Sequence, residues 1–315
     1  MSASGSNGMK DDYHIPVMLQ ESIESLNVQR DGLYVDCTLG GGGHSREILK
    51  RGGRVLGIDR DPDALAHTTD ALKDFGDAFR PVQARFSGIT DIVADQYGAV
   101  DGVLMDLGVS SRMLDDPARG FSYRFEGPLL MTMSHTGESA YDIVNTMSAV
   151  ELASIFREFG EERNAKRIAN NIVKRRTAKS IETTSELSDI IEQVSRKLPQ
   201  KSKSRVFQAL RIYINEELDE LREGLDGALE VLKPGGRLVV LSYHSIEDRI
   251  VKHYFREKAD PCICPPSFPQ CACGRKPLIS LLTRKAVKPS LEEIEYNPRA
   301  RSALLRGCEK LPNPE

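Results

Sequence analysis

The chain has 315 residues, enough for one large domain or two ordinary ones, and its 40% hydrophobic and 28% charged content fits a globular protein. No apolar run reaches the roughly 18 residues a membrane span needs, and the Ser- and Gly-rich start lacks the apolar core of a signal peptide. A cytoplasmic protein with its six cysteines mostly reduced and no membrane partner is therefore expected. The formal net charge of −3 does not point to nucleic acid, yet it hides an asymmetry: Arg157 to Arg211 holds 14 Lys and Arg against 7 Asp and Glu. Such a block is either a localised polyanion contact or a solvated helical face.

Residues 1–12 read as a disordered tail. Apolar runs at Leu33–Cys37, Arg54–Ile58, Phe79–Gln83 and Val100–Met105 then read as strands, alternating with helical patterns. One helix should begin at Asp61-Pro62, with Asp61 as cap and Pro62 in the first helical position, and Gly76 suits its end. After Leu107 the pattern changes: residues 113–148 are irregular and 149–197 are helical. A single long helix is predicted from Ser204 to Leu232, with leucines at 218, 221, 225, 229 and 232, stopped by Lys233-Pro-Gly-Gly236. Arg237–Leu241 follows as a core strand and Ile246–Glu257 as a helix, with late strands at Ile279–Arg284 and Ser302–Arg306. The reading is an α/β fold: a parallel sheet formed by residues 13–112 and 213–315, interrupted by an inserted, mainly helical domain at 113–212.

The motif that carries chemistry is Asp36-Cys-Thr38-Leu-Gly40-Gly-Gly-Gly43-His44-Ser45, at a strand-to-helix junction. Eighteen positions beyond Gly41, Asp59 ends the next strand, the spacing of a carboxylate that takes two ribose hydroxyls. A dinucleotide fingerprint needs a third Gly or Ala where this chain has Ser45 or Arg46. That mismatch, with Asp36 and Thr38 suited to an amino-acid moiety, favours S-adenosylmethionine over NAD. Phe86 follows the third strand and either lies beside an adenine or packs in the core. Asp106 ends the fourth strand, within Asp106-Leu-Gly-Val-Ser-Ser111, and either accepts from a cofactor ammonium or a substrate amine or is a helix-capping or structural aspartate.

Taken together, these motifs resemble the bacterial methyltransferases of cytosine N4 in small-subunit ribosomal RNA (the MraW/RsmH-like family). The resemblance runs from about His14 to Arg306. It is carried by His14-Ile-Pro16-Val17, the Asp36–Ser45 loop, Gly57-Ile-Asp59-Arg-Asp61-Pro62, Asp106–Ser111, Leu114–Ser122, Phe159-Gly-Glu-Glu162, Ala165–Ala169, Phe207-Gln-Ala-Leu-Arg211-Ile, Ser242–Lys252 and Asn297–Ser302. It implies a Rossmann-like S-adenosylmethionine-dependent methyltransferase sheet, cofactor contacts by Gly42, Gly43, His44, Asp59, Phe86 and Asp106, and a helical insertion that recognises substrate. The implied partner is small-subunit (16S) ribosomal RNA, in an assembled or near-assembled subunit; a homodimer is also among the expectations. Two departures stand out. Met113 occupies a slot where the family often has Gln, and Gly-Pro-Leu-Asp-Met-Arg-Met reads Gly127-Pro-Leu-Leu130-Met-Thr132-Met here. The Leu130 and Thr132 departures keep open a rival reading, an RNA-binding ribosome assembly factor with weakened catalysis.

Methyl transfer to an exocyclic amine needs alignment and an acceptor for one amine hydrogen, a role assigned to Asp106 or a nearby carbonyl. A base in folded RNA must leave its stack, so Tyr243 and His244, after the Arg237–Leu241 strand, are candidate pocket walls, against a buried, satisfied His–Ser pair. The phosphate surface is assigned to Arg163, Lys166, Arg167, Lys174, Arg175, Arg176 and Lys179. Cys262, Cys264, Cys271 and Cys273 lie within twelve residues of a Pro-rich loop, as a structural Cys₄ zinc site, two labile disulfides or free thiols.

Overall fold

The computed structural model describes residues 15–94, 97–265, 270 and 272–312. The tail expected over residues 1–12 lies outside them. Among the described residues no helix is long and apolar enough to cross a membrane.

A short helix, α1 (Leu19–Leu26), precedes β1 (Leu33–Asp36), α2 (Gly43–Lys50), β2 (Arg54–Asp59), α3 (Pro62–Ala71), β3 (Phe79–Gln83), α4 (Ile89–Ala94) and β4 (Val100–Asp106). All of β1 and most of β2 and β4 are buried, as expected of continuous apolar strands covered on both faces. Asp61 accepts from the Asp63 N–H and Pro62 opens α3, as the sequence requires. That helix ends before Gly76, however. The chain tightens into a 3₁₀ turn over Lys73–Ala78, in which Gly76 supplies a φ of 52°.

The insertion follows: α5 (Ser111–Asp115), α6 (Ala140–Thr146), α7 (Ala149–Glu158), α8 (Ala165–Arg176), α9 (Thr184–Val194) and α10 (Pro199–Asn215). Its buried side chains, from Met113 to Leu210, form a cluster separate from the two that cover the sheet. The single helix expected from Ser204 to Leu232 is two helices, α10 and α11 (Glu217–Val231). Between them Glu216 turns left-handed, with φ 53° and ψ 35°. The leucine spacing begins only past the break, at Leu218, and neither Gly nor Pro marks the break itself. The bend is held from outside, by partners far away in the chain that are described below.

The chain then forms β5 (Leu232–Ser242), α12 (Ser245–Ala259), β6 (Ile279–Leu281), α13 (Leu291–Tyr296) and β7 (Leu304–Lys310). The Lys233–Gly236 segment, read as a stop, belongs to β5. The register shifts between Val100 and Gly102 of its partner strand, and Gly235 (φ 81°) absorbs the irregularity. Strand order is β3-β2-β1-β4-β5-β7-β6. The five N-terminal strands are parallel, but β7 runs antiparallel to both neighbours, so the sheet is mixed rather than wholly parallel. The connection explains this. α12 carries the chain back so that β6 has the sense of β5, and only the six-residue α13 and a 3₁₀ turn lie between β6 and β7. Without a second full crossover helix, β7 fills the gap in the opposite sense. The strand order reverses between β1 and β4, so their carboxyl ends open a crevice where open α/β sheets bind ligands.

Candidate active site

One cavity lies in that crevice, walled by the loop after β1, the ends of β2 and β4, the first residues of the insertion and the α10–α11 junction. Gly40, Gly41, Gly43 and His44 line it; Gly42 does not. The Gly42 N–H is spent on the Leu39 carbonyl at 2.7 Å. Its φ is 72°, and a Cβ there would stand 2.6 Å from Thr68 Cγ2. Gly42 therefore makes the turn and the close packing on α3 and stands off the cavity wall, which its neighbours form. Gly43 lets Pro16 close over the loop, since a Cβ would meet Pro16 Cγ at 2.8 Å. Asp36 is also off the cavity wall. It is buried, accepts from Ser45 Oγ at 2.7 Å and from the Thr38 N–H at 3.2 Å, and so braces the loop from behind.

The remaining expected groups line the cavity. Asp59 accepts from the Gly40 N–H (2.8 Å) and the Asp61 N–H (2.9 Å), which fixes its carboxylate while leaving lone pairs for a ligand. Burial pushes its pKa up to about 6, against those hydrogen bonds. Phe86 packs on α11, where a Cβ at Gly224 would stand 2.4 Å from the ring, so ring and helix approach as only glycine allows. Asp106 Oδ1 accepts the Tyr243 hydroxyl at 2.6 Å, and its backbone N–H donates to Thr38 Oγ1 at 2.6 Å. Burial pushes the Asp106 carboxyl up to about 7. Burial and the facing carboxylate hold Tyr243 well above the usual phenol range, so it remains a donor. His44 Nε2 lies 3.1 Å from the Val17 carbonyl, and Nδ1 stands 3.8 Å from Asp106 Oδ2. Burial lowers the His44 pKa, so the ring enters the cavity neutral.

Two expected substrate groups are elsewhere. His244 does not line the cavity: it caps α12, accepting from the Glu247 N–H, while Nε2 lies 3.0 Å from Glu247 Oε1. Its place just after a strand end looked like an active-site position because a helix N-terminus starts there. Lys174 and Arg175 are exposed on α8, away from the cavity, alongside Arg163, Lys166 and Arg167. Arg176 turns inward and donates to the Val144 (2.6 Å) and Thr146 (3.3 Å) carbonyls at the end of α6, so its charge secures a helix terminus. Lys179 is paired with Glu186 at 2.9 Å.

The cysteine loop is partly described; Cys271 lies outside the described residues. The thiols of Cys262, Cys264 and Cys273 lie within 4.8 Å of one another. The 4.0 Å between Cys262 Sγ and Cys273 Sγ, about twice a disulfide bond, excludes a disulfide between them. The Ala272 N–H donates to Cys264 Sγ at 3.2 Å.

The site also contains residues the sequence did not single out. Glu220, buried in α11, accepts from the Phe86 N–H (3.0 Å) and Arg60 Nη1 (2.8 Å). Arg60 also donates to the Asn215 carbonyl at 3.0 Å, which the bend at Glu216 frees. The Asn215 side chain donates to the Met131 and Arg211 carbonyls (both 2.8 Å) and accepts from the Met133 N–H (2.9 Å). Arg119 of the insertion reaches Asp61 Oδ2 at 3.1 Å and donates to the Thr132 and Met133 carbonyls. A signal existed for Glu220: with Gly224 and Gly227 it falls at i, i+4, i+7, a charge on a small-residue stripe. Asn215 and Arg119 gave none, because their partners are distant in sequence. Of the departures, Met113 is buried in the cavity wall and Leu130 is 40% exposed.

A seven-stranded sheet of this order, with a glycine loop after β1 and acids at the ends of β2 and β4, is the Rossmann-like methyltransferase arrangement. The model of the MraW methylase family matches residues 11–311, and the chain belongs to that family. It is 53% identical over 307 residues to "Ribosomal RNA small subunit methyltransferase H" of Carboxydothermus hydrogenoformans, covering 95% of this chain and 98% of the relative. The protein of the same description from Symbiobacterium thermophilum is 49% identical, covering 95% and 97%. Among solved structures, an rRNA methylase from Streptococcus thermophilus aligns with a TM-score of 0.42 and 11% identity, over 93% of this chain and 95% of that one.

Proposed function

We propose that this methyltransferase moves the methyl group of S-adenosylmethionine to N4 of a cytidine in small-subunit ribosomal RNA. The observation that carries the reading is Asp106 at the end of β4, oriented by Tyr243 and set on the cavity wall beside the glycine loop and His44. The groups on the wall match that cofactor. The first turn of α2 offers backbone N–H groups for a carboxylate, Asp59 offers lone pairs for a ribose diol, and Phe86 offers an aromatic face for a base. NAD fits less well. The helix packing that a third glycine would serve is taken by Ser45, whose hydroxyl is committed to Asp36.

The cofactor supplies an activated methyl on a sulfonium. The residues of the chain align the amine and receive its hydrogen bond, and such alignment contributes roughly 7–11 kcal/mol. Asp106 accepts one N4 hydrogen when ionised, favouring a pyramidal nitrogen. Tyr243 holds that carboxylate in one rotamer and remains a phenol, so it donates to Asp106 rather than competing for the proton. We assign residues 113–212 to substrate recognition, in cytoplasmic small subunits that are assembled or nearly so. The exposed cations of α8, Lys174 and Arg175 among them, are assigned to RNA phosphates. The cysteine loop is assigned to a structural zinc, with Cys271 as fourth ligand. Tetrahedral thiolates at 2.3 Å stand roughly 3.8 Å apart, close to the 4.0 Å between Cys262 and Cys273.

The test is methyl incorporation into small subunits isolated from cells lacking this enzyme, with the modified nucleoside identified by mass. N4-methylcytidine in the small-subunit RNA is expected. Binding of S-adenosylmethionine without any incorporation would favour the assembly-factor reading, and no binding would refute the methyl-transfer reading.

A further inference from the structure

We propose that Arg211 is a substrate-binding residue of this site, whose Nη1 donates to the acceptor edge, N3 or O2, of the target cytosine while Asp106 accepts from N4. The inference rests on the reading above and adds the group that recognises the base.

Arg211 lies at the end of α10, where the insertion meets the cavity, and its side chain is 15% exposed. Glu217, just past the bend, takes Nε at 2.8 Å and Nη2 at 2.9 Å in a fork. Among the described residues nothing accepts from Nη1. Burial opposes the charge, but Glu217 and Glu247 outweigh it and raise the pKa, so the guanidinium stays cationic. The fork also fixes its plane, which a lysine could not reproduce. Nη1 is directed at the strand end that carries the reaction. A Cβ built on Gly108, two residues past Asp106, would lie 4.0 Å from Arg211 Nη1 and 4.0 Å from Tyr243 Cδ2. Gly108 has a φ of 102°, and its missing side chain leaves the space between the donor and the Asp106–Tyr243 pair open.

That space is flanked by an acceptor and a donor. Cytosine presents a donor (N4–H) beside two acceptors (N3 and O2), and an extruded base is read on this edge. Uracil would turn its O4 toward the Asp106 carboxylate. The charge is paired with Glu217, but a largely buried N–H left without an acceptor is costly, so Nη1 favours a base that supplies one. The bend at Glu216 gains a function: it places Arg211 on one side of the break and its orienting carboxylate on the other.

The test is a cycle of protein and substrate changes. Wild type and Arg211→Met are compared on RNA carrying cytidine, 3-deazacytidine (no N3 acceptor) or 2-thiocytidine (a weakened O2 acceptor) at the target position. Calorimetry with S-adenosylmethionine reports the fold and the cofactor site of each protein. Arg211→Met should lower kcat/KM on cytidine about 100-fold, with cofactor affinity within twofold. At least one analogue should cost wild type ten-fold or more and the variant less than threefold. Equal analogue penalties in both proteins would overturn the assignment, with the cation then gripping a phosphate. A tenfold loss of cofactor affinity would overturn it in favour of the cofactor carboxylate. Should Arg211→Met not fold, Arg211→Lys keeps the charge without the fork and should show the same coupling with a smaller loss. Wild-type transfer to the cytidine substrate is the control: its failure refutes the proposed function, whereas only the cycle decides Arg211.

Discussion

The loop after β1 and the bend between α10 and α11 set opposite walls of one cavity by different physics. The loop is local. Four glycines, a buried Asp36 nine residues from the Ser45 it holds, and a helix start fix its shape within ten positions. The bend is non-local. Glu216 is left-handed because Asn215 is tied to Met131 and Met133, more than eighty residues earlier, and its carbonyl to Arg60, 155 positions away. A local device is written in consecutive residues; a non-local one exists only once the insertion has packed on the sheet. The first builds the proposed cofactor wall, and the second delivers Arg211, Glu217 and Glu220 to the site.

The largest expected effect falls where both walls converge. Asp106→Asn should lower kcat by about 10³, within the range for loss of a positioned proton acceptor, and single-turnover methyl transfer checks it. Asp106, raised to about 7, and Asp59, raised to about 6, are the stronger, charge-assisted acceptors only when ionised. The acid limb of kcat/KM should therefore rise between pH 6 and 7, and Asp106→Asn should remove its upper part. Stability moves the other way. A carboxyl raised on folding binds protons the unfolded chain has released, so its contribution is full below about pH 4 and is lost as pH rises through 7. The cofactor-free Asp106→Asn protein should thus lose less Tm between pH 5 and pH 8 than wild type.

The next effects separate the two walls directly. Asn215→Ala strips partners from two buried backbone groups, the Met131 carbonyl and the Met133 N–H, and should cost about 3 kcal/mol in urea unfolding, given roughly 1–3 kcal/mol for each buried group left unsatisfied. Gly42→Ala removes no hydrogen-bonding group but imposes strain at φ 72° and a clash with Thr68, and should cost about 2 kcal/mol. If Asn215→Ala proved harmless, the bend would be intrinsic to the helix sequence and the contrast between local and non-local devices would fail.

The same contrast explains what the sequence could reveal. β1 to β4 were legible almost to the residue, because buried parallel strands are continuous apolar runs and Asp61-Pro62 starts a helix by local chemistry. Asp59, Phe86 and Asp106 were legible as strand-end positions, and all three line the cavity. Gly42 and His244 do not line the cavity, because a motif names a region and not the direction each residue faces; one packs on Thr68 and the other caps α12. The mixed sheet was hidden because an apolar strand looks alike in either direction. The break in the long helix was hidden because an amphipathic repeat survives a bend that tertiary contacts impose.

The smallest effects test the basic surface of the insertion, where charge counting alone made no distinction among neighbours. Lys174 and Arg175 are exposed on α8, whereas Arg176 is spent on the carbonyls of Val144 and Thr146. If α8 meets RNA phosphates, Lys174→Ala and Arg175→Ala should each lower the slope of log affinity against log salt by about 1 and leave stability unchanged. Arg176→Ala should leave that slope alone and instead lower Tm by a few degrees, because two carbonyls at the end of α6 lose their donor. Binding to isolated small subunits across a salt series, run beside thermal melts, distinguishes the two. An unchanged slope in both Lys174→Ala and Arg175→Ala would move the phosphate contact off α8.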